Sequence, residues 1–460
     1  MKGIIQMKKD LTTDMTMGSP IKHLLQFSVP LLIGNVFQQL YNMVDAIVVG
    51  NYEGKEALAA VGTTGSINFL IFSLALGLAS GISIITSQYF GAKDEENIKK
   101  SFATGAYVVI ISSVIMGIIG FFASRPILEL LNTPDNIIDQ AVIYLKICSI
   151  GIIGIGAYNW IATILRALGD SITPLIFLIV TCILNIFLDL LFVIVLHMGV
   201  AGVAWATIIS QMIAAIGCIV YALMKVKLLR IPLKKFRPDN KIVKKCLSFG
   251  IPVALQNSFV SLSIMALQGI INSYGDTVMA AATAATRIEQ LIIQPGASLG
   301  MAVATFTGQN IGAGKIDRVK KGFNSAVRLI VGFSLFMLPV IYFGGGTIMD
   351  LFIKAEDKEV IRIGVEALRV PCFFYSFVGL IFITRNLLSG AGDVKIPMFM
   401  GFTEVVCRVI FANLLSLQFG YHGIWWATGL TWFLTSIVGC IRYFSGKWKD
   451  KTVIASTLTH

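Results

Sequence analysis

Four polar residues lie in apolar segments of this sequence and could together bind a cation. Asp45 lies in YNMVDAIVVG, Asp189 in LNIFLDLLFV with Asn185 one helical turn before it, and Thr207 ends GVAGVAWAT. Oxygen ligands suit a hard cation, and two neighbouring carboxylates can share a proton. The residues therefore predict a site for a hard cation or a proton. A structural alternative stays open, in which Asp45 caps its helix and Asn185 and Asp189 hydrogen-bond neighbouring helices.

The segments that carry these residues must be long helices in a membrane. Of 460 residues, 56% are hydrophobic and 13% charged, whereas soluble domains carry about 25% charged residues. The charges are too few to coat a soluble protein of this length. The predicted class is an all-α polytopic membrane protein, and its twelve spans are 24–50, 57–86, 101–124, 138–162, 174–196, 200–224, 248–274, 277–307, 322–346, 359–384, 397–418 and 421–444.

The helical rise places the candidate residues at a similar depth. At about 1.5 Å per residue, Asp45 and Asp189 lie about 9 to 10 Å below the outer ends of their spans, and so does Thr207. The sequence therefore predicts one oxygen cluster in the outer half of the membrane.

The positive charge of the chain is explained by its membrane topology. Most of the 37 Lys and Arg residues fall in alternate connections and in the two tails. This positive-inside pattern predicts cytoplasmic termini in a bacterial inner membrane, with the basic surplus facing anionic lipids rather than nucleic acid.

The two halves of the sequence repeat each other at an offset of about 222 residues. FSVP matches FGIP, QYFGAK matches QNIGAGK, LRALGDSITP matches LSGAGDVKIP, and GVAGVAWAT matches GYHGIWWAT. Six spans in each repeat predict two six-helix bundles related by a pseudo-two-fold axis along the membrane normal. The predicted regions are a cytoplasmic tail 1–23, a first lobe 24–224, a basic linker 225–247, a second lobe 248–445 and a cytoplasmic tail 446–460.

The second lobe carries different charges from the first. Leu267 and Ala412 stand at the positions that match Asp45 and Asp189. Charged residues of this lobe instead fall elsewhere in its spans, namely Arg287, Glu289, Glu404 and Arg408. Glu404 and Arg408 have the spacing of an ion pair within one helix. Alternatively, one of the carboxylates binds a cationic substrate or a second coupling ion.

Enzymatic and nucleotide-binding signatures are absent from the sequence. GQNIGAGKI lacks the first glycine and the Ser or Thr of a phosphate loop, no CxxC occurs, and the four His residues are dispersed. We expect a non-enzyme without a cofactor, nucleotide or nucleic-acid partner, and without a metal other than Na+.

In the order and duplication of its motifs, the chain resembles the MATE family of multidrug and toxic compound extrusion transporters. The motifs are Pro30 with YNMVDAIVVG, the QYFGAK and QNIGAGK turns, LRALGDSITP with its copy, the NxxxD of the fifth span and the ExxxR of the eleventh. The resemblance implies two bundles that form a V, and a cation site at Asp45, Asn185, Asp189 and Thr207. It also implies a helix bend at Pro30, with Tyr41 as a neighbour of the site.

The resemblance implies export of organic cations in exchange for Na+ or H+ by alternating access. The second lobe lacks the carboxylate that NorM-like members carry in its first helix, so a second-lobe Na+ site does not follow. A flippase for lipid-linked oligosaccharides or cell-wall precursors is the alternative. We expect small organic cations as substrates and a functional monomer.

Candidates for an adaptable cavity around flat cations are amide, aromatic and Met side chains, which are otherwise packing residues. They are Gln38, Asn159, Trp160, Gln256, Met265 and Gln290.

Overall fold

A computed structural model describes residues 12–131, 133–350, 353 and 357–452. Parts of both predicted cytoplasmic tails, residues 1–11 and 453–460, lie outside this range. Thirteen α-helices make up most of the described chain: α1 Pro20–Tyr52, α2 Gly54–Gly91, α3 Glu95–Leu130, α4 Asp135–Ala167, α5 Ile172–Asp189, α6 Gly199–Lys225, α7 Asn240–Asn272, α8 Asp276–Gly312, α9 Ile316–Met349, α10 Lys358–Cys372, α11 Tyr375–Gly390, α12 Lys395–Phe419 and α13 His422–Phe444.

The all-helical membrane class is confirmed. Ten helices of the described chain are long and apolar enough to cross a membrane, and the bent pair α10 and α11 makes an eleventh span. Helix α1 has 33 residues, which is ample length for a crossing. Polar residues such as Asn35, Gln39 and Asp45 lower its mean hydropathy, so α1 is not among these candidate spans and the twelfth span stays a prediction.

The predicted tenth span is broken. A single helix was expected over 359–384, but α10 ends at Cys372 and α11 begins at Tyr375, with a bend of 53° between them. Pro371 explains the break, because proline has no N–H for the helical hydrogen bond and its ring clashes with the preceding turn. Helix α11 then runs to Gly390, past the predicted end of the span.

The chain divides into two compact units. Of the described residues, the first unit comprises those in 12–15 and 29–254, and the second comprises those in 16–28 and 255–452. Helices α1 and α7 therefore contribute to both units, and each changes unit within three residues of its internal proline, Pro30 or Pro252. The two prolines match in the sequence repeat.

Close helix packing in the first unit depends on small residues. A Cβ atom on Gly77 of α2 would lie 2.6 Å from the Gly250 carbonyl oxygen of α7, and one on Gly81 would lie 2.8 Å from the Cys246 carbonyl oxygen. Glycine lets the two backbones approach, as is common between membrane helices.

The matching turns in LRALGDSITP and LSGAGDVKIP each end one helix and start the next. Gly169 and Gly392 have φ values of +86° and +91°, which glycine adopts without strain. Asp170 then accepts hydrogen bonds from the backbone N–H groups of Ile172 and Thr173, both at 3.0 Å, and so caps α5.

We predict that Gly77→Ala destabilises the first unit. The added methyl group must push α7 away or strain both backbones, at about 1 to 3 kcal/mol. Gly62→Ala is the matched control on α2, because nothing lies within 4 Å of its added Cβ. Melting of the purified protein in detergent should show a lower midpoint for Gly77→Ala and an unchanged or higher midpoint for Gly62→Ala. Equal midpoints for both variants would contradict this packing.

Candidate functional site

Three helices of the first unit bring the predicted cation-site residues together. Asp45 comes from α1, Asn185 and Asp189 from the last turn of α5, and Thr207 from α6. The side-chain amide of Asn185 donates to the Thr207 hydroxyl at 3.5 Å. The carboxyl groups of Asp45 and Asp189 lie within hydrogen-bonding range of each other. Asp45 lies well inside α1, which continues to Tyr52, so it does not cap the helix end.

Four oxygen atoms of this cluster have no hydrogen-bond donor in the described part of the chain. Asp189 is 0% exposed and Asn185 1% exposed. Both Asp189 carboxylate oxygens, the Asn185 carbonyl oxygen and one Asp45 oxygen are buried without a hydrogen-bond partner there. Each unpaired buried acceptor costs about 1 to 3 kcal/mol. A bound cation or proton would satisfy them, and hard cations prefer such oxygen ligands.

Tyr41 and Gln38 lie beside this cluster on α1. The Tyr41 phenol is buried and lies near Asp45, and its hydroxyl is within hydrogen-bonding range of the Gln38 side chain. Pro30 is half-buried and lies inside α1, where it removes one backbone donor. The same helix therefore carries an unpaired carboxylate and a weakened hydrogen-bond ladder.

A π-helical turn follows the site, which the residue pattern did not predict. Residues Leu190–Val195 form this turn directly after Asp189. π-Helical turns are rare and frequently occur at functional sites. LLFVIV is an ordinary apolar run, so its residue types carry no signal for the wider turn.

The second unit contains a buried ion cluster of three residues. Glu404 accepts from Arg408 at 3.0 Å and from Arg385 at 3.1 Å, so one carboxylate binds two guanidinium groups. Arg385 was missed because the predicted tenth span stopped at 384, which placed it in a cytoplasmic loop. The continuation of LIFITRNLLSG as a helix was the available signal.

The other two predicted charged residues of the second lobe form no ion pair with this cluster. Glu289 on α8 is half-buried, and its Oε1 atom has no hydrogen-bond partner among the described residues. Arg287, two residues earlier, is exposed.

The candidate substrate residues have varied surroundings. In the first unit, Asn159 donates to the Ile155 carbonyl of its own helix, and Trp160 is buried with its ring 4.7 Å from that of Phe102. In the second unit, Gln256 is buried and Met265 is 44% exposed. Gln290 lines a cavity beside Glu289.

The fold and the buried polar sites define a multi-pass helical membrane protein of a two-lobed transporter class. The chain belongs to the MatE family, whose model matches it twice, over residues 30–191 and 252–414. The two matches correspond to the two sequence repeats.

Relatives and solved structures resemble the chain over nearly its whole length. The probable multidrug resistance protein YpnP of Bacillus subtilis is 34% identical and covers 95% of this chain and 97% of its own. A MOP superfamily transporter from Pyrococcus furiosus, described as having a binding pocket of reverse polarity, is 25% identical with a TM-score of 0.86 over 95% of this chain and 99% of its own. An outward-facing multidrug resistance MATE transporter gives the same identity, TM-score and coverage.

We predict that Glu404→Gln is strongly destabilising. It leaves Arg385 and Arg408 buried without a counter-charge, and breaking a buried pair in this way costs about 3 to 5 kcal/mol. Glu359→Gln is the control, because Glu359 and its partner Arg362 are both exposed, and solvent screens such a pair so that it contributes little to stability. The two variants are compared by folded yield and melting in detergent. Equal stability would show that the cluster does not need its carboxylate.

Proposed function

We propose that this protein exports cationic amphipathic compounds across the cell membrane in exchange for Na+ or H+. The observation that carries the proposal is the cluster of Asp45, Asn185 and Asp189, in which four buried oxygen atoms have no donor among the described residues. An unpaired carboxylate pair in a membrane helix bundle is expensive unless a cation or proton binds there. Names of relatives such as YpnP support multidrug compounds as the exported class.

In the proposed coupling, the inorganic cation and the drug compete because each one stabilises a different conformation of the protein. Binding of a cation neutralises the repulsion between Asp45 and Asp189 and draws α1 towards α5. Pro30 lets the two parts of α1 respond separately, because its missing N–H weakens the helix at that point. Only a difference in affinity between the conformations can shift their populations, so drug and cation must favour different ones.

The membrane potential supplies enough energy for such an exchange. One charge that moves through about 100 mV yields about 2.3 kcal/mol. This corresponds to about a fifty-fold gradient of drug for each charge moved, since about 1.4 kcal/mol equals a factor of ten. We place both termini in the cytoplasm of a bacterial cell and expect the monomer to function alone.

We predict that Asp189→Asn and Asp45→Asn each lower gradient-driven drug efflux from reconstituted vesicles at least tenfold. The amide keeps the size of the side chain but cannot take up a proton and binds a cation less strongly. Imposing Na+ and pH gradients separately identifies the coupling ion. Asp139→Asn is the control, because Asp139 is an exposed acid that pairs with Arg125.

Full gradient-driven efflux by correctly inserted Asp45→Asn and Asp189→Asn proteins would overturn the proposal. Drug flux that is independent of both the Na+ and the pH gradient would indicate a channel. Transport of labelled lipid-linked oligosaccharide in place of drugs would indicate the alternative, a flippase.

A further inference from the structure

The second unit contains a cavity with charged lining residues that the proposed cation exchange does not use. The cavity has a volume of about 200 Å³ and is lined by residues of α7, α8 and α10 to α13. Sites for drug-sized ligands are about 300 to 1,000 Å³, so this cavity suits a smaller molecule. Its charged lining residues are Glu289, Arg385, Glu404 and Arg408.

Three residues of the cavity lining offer hydrogen-bond donors. Arg385 and Arg408 share the single carboxylate of Glu404, and their Nε atoms are buried without an acceptor in the described chain. Both arginines are more than nine-tenths buried, at 8% and 6% exposure. The indole N–H of Trp425, another lining residue, also has no acceptor there. These donors are therefore suited to an anionic group, which Arg binds with strong charge-assisted hydrogen bonds.

Glu289 brings a negatively charged side chain to the lining, opposite in sign to Arg385 and Arg408. Its carboxylate lines the same cavity, forms no ion pair with a described residue, and has one buried oxygen without a donor. Arg408 acts on it electrostatically but donates its close hydrogen bond to Glu404. An ammonium group next to Glu289 would supply the missing donor.

A ligand with one charge would satisfy only part of this lining. An anion would leave the Glu289 carboxylate unpaired, and a cation would leave the Arg385 and Arg408 donors unpaired. Each buried charged group without a partner carries a penalty. A molecule with both charges meets both requirements, and the rings of Trp425 and Trp432 give it an apolar wall.

We propose that this cavity binds a small zwitterion, with its anionic group at Arg385, Arg408 and Trp425 and its ammonium group at Glu289. The site is in the second unit and the coupling site is in the first. Binding of the zwitterion and cation-driven efflux are therefore separate measurements, and failure of one leaves the other intact.

The test compares three probes of similar size with the full-length protein in lipid nanodiscs. L-phenylalanine carries both charges, phenethylamine lacks the carboxylate, and 3-phenylpropionate lacks the ammonium group. Calorimetry should show that L-phenylalanine binds at least tenfold more tightly than either analogue. Equal affinity of phenethylamine would indicate a cation site, equal affinity of 3-phenylpropionate an anion site, and no binding a cavity filled by water; each overturns the proposal.

Variants assign the two ends of the ligand. Glu289→Gln should lower the affinity for L-phenylalanine at least tenfold without lowering the affinity for 3-phenylpropionate. Trp425→Phe keeps a ring but removes the N–H group. It should therefore lower the affinity for the two probes that carry a carboxylate and leave the affinity for phenethylamine unchanged. Arg287→Gln is the matched control, because Arg287 is exposed on the same helix and does not line the cavity. Unchanged L-phenylalanine affinity in Glu289→Gln would overturn the assignment.

Discussion

A charged or polar group inside a hydrocarbon layer must find a partner, and this requirement accounts for the placement of the buried polar groups of this protein. The chain has few charged residues, and a charged side chain inside a membrane-spanning helix is costly unless it is paired or binds a ligand. In the second unit, Glu404 meets two arginines at 3.0 and 3.1 Å. In the first unit, both Asp189 carboxylate oxygens and one Asp45 oxygen have no donor among the described residues. The Glu404 carboxylate is thus paired within the protein, whereas the first-unit oxygens would be satisfied by a cation or proton, as we propose.

The two units show how duplicated helices acquired different chemistry. Pro30 and Pro252 match in the repeat, and at each of them a long helix passes from one unit to the other. The carboxylates of the first unit have Leu267 and Ala412 as their counterparts, and the second unit carries its charges on other helices. The duplicated helices are alike in position within the repeat, whereas a few of their side chains differ in charge between the two units.

Much of the fold and the first-unit site could be predicted from the sequence, because both depend on local rules. Apolar length gave the long helices, and the helical rise placed Asp45, Asp189 and Thr207 at a similar depth. The break after Pro371 was missed, since a proline inside a membrane span can also be accommodated without a break. The π-helical turn after Asp189 has no signal in LLFVIV, and the pairing of Arg385 with Glu404 depends on contact between helices that no spacing within one helix encodes.

We infer that the Asp45 and Asp189 carboxylates hold a cation that is released when drug binds. A direct measurement is to add tetraphenylphosphonium to purified protein in weakly buffered detergent and record released H+ with a pH dye and released Na+ with an electrode. We expect release of about one ion per bound drug from the unmodified protein and none from Asp189→Asn protein that still binds the drug. Drug binding without ion release from the unmodified protein, or equal release from Asp189→Asn, would contradict it.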